Sequence, residues 1–175
     1  LSFPCGTPLY PYYNGSGDFS TARMINSGFE GNNPPIRFEN TNGTYIFDNT
    51  FARSGVAIEL DNVENAEITN NLFYETQVGI RSNASNDLTS GAILSNTFTG
   101  VGTAIDIDGG DHTMLSISCN TLEYSEYGIY SEGSLGDFGV PGNGAANYFY
   151  SGSSLVNHQV HHNGNGITYH CGATN

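Results

Sequence analysis

The sequence predicts an all-β solenoid of about six rungs, each 22–27 residues long, with short parallel strands stacked rung on rung. Three observations carry this. Six triplets recur: Ser27-Gly28-Phe29, Asn49-Thr50-Phe51, Asn71-Leu72-Phe73, Asn96-Thr97-Phe98, Asn120-Thr121-Leu122 and Asn147-Tyr148-Phe149. Their starts at 27, 49, 71, 96, 120 and 147 lie 22, 22, 25, 24 and 27 residues apart, a period that marks a solenoid. Each triplet also carries an apolar frame at fixed offsets. Three residues before it stand Met24, Ile46, Ile68, Ile93, Ile117 and Gly144, and nine after its start stand Ile36, Ile58, Ile80, Ile105, Ile129 and Val156. The third observation is local pattern. Segments such as Ile68-Thr69-Asn70-Asn71-Leu72-Phe73 and Ala104-Ile105-Asp106-Ile107-Asp108 alternate with period two, as strands do.

Helical repeats are excluded by composition. The chain has 23 Gly, no Lys and few Leu and Ala, so helix pairs and a leucine ladder are both missing. The remaining coil has two or three short strands per turn, with equivalent residues about 4.8 Å apart along its axis. The Phe column should stack rings inside. The Ile column should line another wall. The Asn column (49, 71, 96, 120, 147) should sit where one strand bends into the next, each amide bonding its copies above and below rather than serving as a sugar ligand. The repeated I-x-x-N-x-F…[GA]-I pattern resembles that of right-handed parallel β-helix proteins of the pectate-lyase-like, secreted or cell-surface kind, over roughly residues 22 to 170. On this basis residues 1–21 are a capping arm, 22–159 the β-helix repeats and 160–175 a degenerate last rung or end. The turn-rich segment Leu9–Gly17 belongs to the cap, which covers an otherwise open edge. The insert Ser134–Asn143 should project as a loop.

Ten residues after the triplet starts come Arg37, Glu59, Arg81, Asp106 and Tyr130, an outward column of alternating sign; Arg53 and Glu75 are likewise equivalent. Three of the four Arg thus have an acidic neighbour in register. The formal net charge of -13 argues against nucleic acid and polyanion partners, and no apolar stretch is long enough for a membrane span. The Tyr-, Asn-, Thr- and Gly-rich, Lys-free composition points to an extracellular or cell-surface location. Cys5, Cys119 and Cys171 are odd in number. Cys119 reads as a small buried hydrophobe, and Cys5 and Cys171 lie too far apart along the coil to pair unless a terminal arm runs back or each pairs with a cysteine outside this chain. Sequons begin at Asn14, Asn42 and Asn83.

Chemistry has few candidate locations. Asp106, Asp108, Asp111 and His112 form the densest acidic group; three carboxylates and an imidazole near one turn can act as acid and base or hold a cation. The resemblance implies that pectin-hydrolysing relatives use clustered Asp with His and Arg-Lys motifs, and lyases a basic residue beside a cation; those companions are missing here. Twelve residues after the triplet starts come Asp61, Asn83, Asp108 and Glu132, whose stacked oxygens suit Ca²⁺, although the repeat itself requires no cofactor. His158, His161, His162, His170 and Cys171 have zinc-ligand chemistry but lie where the repeat decays, so an end cap is the preferred reading. Tyr124, Tyr127 and Tyr130 offer rings for stacking on sugars. The expected function is therefore a non-catalytic scaffold, stalk or adhesion module with weak carbohydrate contact, its partners glycans or further copies or segments of a surface protein. The alternative is a polysaccharide-degrading enzyme, a glycoside hydrolase or polysaccharide lyase, working through the Asp cluster.

Overall fold

The computed structural model describes residues 12–14, 22–25, 27–31, 36–83, 91–108, 111–112, 114–131, 134–135, 148–150 and 157–161. They form a parallel β-solenoid with three sheets. Sheet A stacks Tyr12–Asn14, Ile36–Asn42, Val56–Glu64, Val78–Asn83, Thr103–Asp108, Tyr127–Ser131 and Asn157–His161. Sheet B stacks Ala22–Ile25, Thr44–Phe47, Ala66–Thr69, Gly91–Leu94 and Leu115–Ser118. Sheet C stacks Gly28–Glu30, Thr50–Ala52, Leu72–Tyr74, Thr97–Thr99, Thr121–Glu123 and Tyr148–Tyr150, one strand for each triplet. Each turn of the coil runs through sheet B, then C, then A.

Register follows the offsets read from the sequence. Ile36 pairs with Ile58, Ile58 with Ile80, Ile80 with Ile105 and Ile105 with Ile129. Met24, Ile46, Ile68, Ile93 and Ile117 form the matching column of sheet B. Phe51, Phe73 and Phe98 are fully buried, and their rings stack at 5.0 and 4.5 Å between centroids; Phe29 joins from the first turn at 5.1 Å. Leu122 continues the column. A one-residue slip would turn each of these side chains to the opposite face, which is why the frame is strongly specified.

The bend from sheet B to sheet C is made by two residues. The first takes the left-handed conformation: Asp48, Asn70, Ser95 and Cys119 have φ of 55°, 55°, 55° and 57°. The second is the ladder Asn. Asn71 is buried; its Oδ1 accepts from the backbone N–H and from Nδ2 of Asn49, both at 3.0 Å. Its Nδ2 donates to the carbonyls of Ile46 (2.9 Å) and Thr69 (3.0 Å) and to Oδ1 of Asn96 (3.0 Å). Asn96 repeats the arrangement with Asn120 and the Ile68 carbonyl. At Ser27 the backbone N–H donates to Asn49 Oδ1, while its hydroxyl turns back to the Ile25 carbonyl of its own turn. A hydroxyl is too short to reach a rung beyond, so Ser27 begins the ladder.

The sixth turn departs from the sequence frame. Val160 stands opposite Ile129, with a register shift between Tyr127 and Ile129, so Val156 is not the member of the Ile column that the offsets predict. The connection after Tyr148–Tyr150 is longer than in earlier turns, and fixed-offset counting does not see the added residues. Among the described residues sheet B has no strand in this turn, so six full rungs are not seen. The expected capping role of residues 1–21 and the Ser134–Asn143 loop fall almost wholly outside the described residues.

Candidate functional site

Four places on the solenoid surface bear on function. The first is the outer face of sheet A, where the alternating charges lie. Arg37, Glu59, Arg81, Asp106 and Tyr130 are register neighbours in that order. Arg81 Nε donates to Asp106 Oδ2 at 3.0 Å. The pairing is otherwise diagonal. Arg37 bonds Asp61 and lies 3.9 Å from Glu39, while Glu59 accepts from the Asn83 amide. The Arg37 pKa is raised, first by its hydrogen bond to Asp61. Long side chains on a pleated face reach across columns as easily as along them. Arg81 does sit between Glu59 and Asp106 in register, but its ion pair goes to Asp106. With side chains 33% and 16% exposed, a double-mutant cycle should give about 0.5–1 kcal/mol of coupling between Arg81 and Asp106, and less between Arg81 and Glu59. Equal coupling to both would restore the simple column.

The second place is the corner between sheets A and B, which includes the acidic cluster. In the second and third turns the connection is a single residue between the strands, Gly43 or Asn65. Later connections are longer. Asp111–His112 pairs with Ser134–Leu135 in an added two-stranded parallel sheet, Asp111 opposite Ser134 and His112 opposite Leu135. Asp108 ends its strand opposite Asn83. Backbone pairing therefore groups Asp106, Asp108, Asp111 and His112 along one stretch of chain at this corner, with Asp106 committed to Arg81. Of the stacked oxygen column, Asp61 accepts from Arg37 and Asn83 donates to Glu59, while Glu132 lies outside the described residues. The sequence reading also omitted Glu39, which pairs with Asp61 in register.

The third place is the tyrosine group. Tyr124 has φ 53° in the turn after Thr121–Glu123 and is 53% exposed. Tyr127 and Tyr130 are half-buried in the next strand, their rings edge to face at 6.3 Å. The aromatic character is real, but two of the three rings are turned toward each other.

The fourth place, on the outer face of sheet C, was missed. Glu30, Ala52 and Tyr74 occupy one register column on successive strands. At the adjoining corner Arg53 donates from one guanidinium nitrogen to Glu30 (2.7 Å) and from Nε to Glu75 (3.1 Å). The Glu75 carboxyl is held below the usual range, first by the neighbouring Tyr74 hydroxyl and then by Arg53. The Tyr74 pKa is raised in turn, chiefly by Glu75. The Arg53–Glu75 half of this network follows from their shared offset. Glu30 and Tyr74 sit one residue earlier in their turns and were not connected to it.

The metal-ligand candidates are dispersed or undescribed. Cys119 is half-buried in its left-handed turn, and His158 and His161 belong to the strand Asn157–His161. His162, His170, Cys5 and Cys171 lie outside the described residues. Among the described residues, no group of three or more His, Cys, Asp and Glu is placed to hold a metal ion.

Comparison with known proteins adds a family. No curated protein and no solved structure matches the chain. Residues 14–170 match the model of the NosD family, described as periplasmic copper-binding protein. That match spans the triplets, all three sheets and the acidic corner. The repeated frame that builds this solenoid is the part of the sequence the family model covers, and the chain belongs to the NosD family.

Proposed function

We propose that the chain is a non-catalytic β-helix scaffold that works outside the cytoplasm and makes weak contacts with neutral glycans through exposed aromatic side chains. The observation that carries this is the way its charged groups are used. Arg37, Arg53 and Arg81 are each tied to a carboxylate of a neighbouring turn, so the cations that a lyase would turn on its substrate are holding strands in register. The periplasmic description of the family supports the location. Among the described residues no helix is long and apolar enough to cross a membrane.

The family's description also names copper. Copper takes imidazole, thiolate and thioether donors gathered at one point. Here Met114 stands 71% exposed at one end of the strand Leu115–Ser118 and Cys119 is half-buried at its other end. Among the described residues no group of three or more His, Cys, Asp and Glu gathers at one point to supply such a donor set.

A second reading, a hydrolase or lyase, is favoured by the added strand pair at the acidic corner, since loops on a rigid frame are where chemistry usually resides. Incubation with a panel of acidic and neutral polysaccharides, with and without Ca²⁺, separates the two. The scaffold reading expects no product. Products that disappear in an Asp106→Asn, Asp108→Asn variant with an unchanged circular dichroism spectrum would install the enzyme, because those changes remove carboxylates without touching the core.

A further inference from the structure

We infer that the outer face of sheet C carries a shallow site for one pyranose unit of a neutral glycan, with Ala52 as its floor and Tyr74 as its stacking wall. The inference deepens the glycan-contact reading above and rests on it, but it moves the contact away from Tyr124, Tyr127 and Tyr130.

The geometry comes from register. Glu30, Ala52 and Tyr74 stand side by side on three successive strands. Two interstrand spacings therefore separate Tyr74 from Glu30, about 9.6 Å. Between them rises only the Ala52 methyl. A sugar ring lying against the Tyr74 face at a contact distance of about 4 Å leaves about 5 Å to the Glu30 column, enough for hydroxyls to meet a carboxylate. On its other side Tyr74 has Thr99 as register neighbour, and Leu72, on the same strand, is 40% exposed. Tyr74 is 39% exposed and is the aromatic ring of this column beside Ala52.

The polar groups are held in advance. Glu30, Arg53 and Glu75 are joined by two hydrogen bonds along one side of Ala52, and Tyr74 adjoins Glu75 in the chain. Each long side chain has its geometry set by the next, so less rotamer freedom is lost when a ligand arrives. The chain provides carboxylate acceptors, guanidinium donors and an aromatic face within one sugar's reach. Two carboxylates to one guanidinium leave the site acidic, and the protein carries a net charge of -13, so uronic or sulfated sugars are repelled and neutral hexoses and pentoses are favoured. Exposure of Arg53 and Glu30 above 60% makes the site shallow and its affinity millimolar in order.

The test is a titration of the full chain with neutral hexasaccharides of glucose, mannose and xylose, followed by amide chemical shifts. At least one should perturb residues 30, 52–53 and 72–75. Tyr74→Ala and Ala52→Leu should each weaken that binding about tenfold, and Tyr124→Ala should leave it unchanged. Ala52→Leu is the sharper variant: it fills the slot while leaving Tyr74 and the ion pairs in place, and its position outside the core keeps the fold intact. Binding that survives Ala52→Leu, or that is lost in Tyr124→Ala instead, overturns this site while glycan contact stands. If none of the oligosaccharides perturbs any amide, the site and the glycan-contact reading fall together.

Discussion

Asn71→Leu should destabilise the protein by about 3 kcal/mol or more, read as a lower urea midpoint at pH 7. Leucine matches the volume but supplies neither acceptor nor donor. The Asn49 backbone N–H and side-chain amide lose the oxygen that received both, and the Ile46 carbonyl loses a donor. Asn49 is 1% exposed, so water does not replace these bonds in the folded state. Each buried group left unpaired costs about 1–3 kcal/mol. In a solenoid the loss falls on the interfaces of the third turn with its two neighbours, so amide exchange should accelerate there before it does in the fifth turn. Asn71→Ser should resemble Leu more than the wild type, because a serine hydroxyl at this bend turns to its own strand, as Ser27 does. A loss below 1 kcal/mol would mean that the ladder accompanies the fold without holding it.

The ladder was legible in the sequence because Asn49, Asn71, Asn96 and Asn120 each sit at one offset from a Phe or Leu and from an Ile. The same holds for the ring stack and the two Ile columns: buried positions tolerate few residue types, so their spacing survives as a pattern. What the offsets missed lies outside the core. Arg37 was matched to Glu59 by column, yet bonds Asp61, since an exposed guanidinium can choose among several carboxylates within reach. Ile36–Asn42 and Val56–Glu64 run on beyond the other sheet A strands. The extension is stabilised by Thr41–Thr44 hydroxyls at 2.7 Å and by Asn62 donating to Asn40, contacts that involve only the first two full turns and so leave no six-fold signature. Val160 replaced Val156 because an added stretch of chain defeats counting. At the candidate sites, the sequence showed which residue types were available, but the Tyr74 network appears only when residues at different offsets are folded side by side.

Gly79→Ala should destabilise the protein nearly as much as the loss of a ladder rung, although it adds a single methyl group. Gly79 precedes Ile80 in the repeat, and its counterparts Ala57, Ala104 and Gly128 are all small and buried. A Cβ at 79 would lie 2.6 Å from the Ala104 carbonyl oxygen and 2.7 and 2.9 Å from two atoms of the Phe98 ring. Neither neighbour yields easily. The carbonyl is backbone of the next rung, and Phe98 is fully buried with its ring stacked 4.5 Å from Phe73. Gly→Ala alone would stabilise a chain by about 0.4–1 kcal/mol through the unfolded state. Overpacking costs about 1–3 kcal/mol, and contact with rigid backbone places this site at the upper end. The net expected loss is about 2 kcal/mol, rising with Gly79→Val. Phe98→Leu in the Gly79→Ala background separates the two causes. Relief of the ring clash alone should recover only part of the stability, because the carbonyl stays where the strand pairing puts it. Full recovery would assign the constraint to the ring, and a neutral Gly79→Ala would show that the third and fourth turns can shift apart without cost.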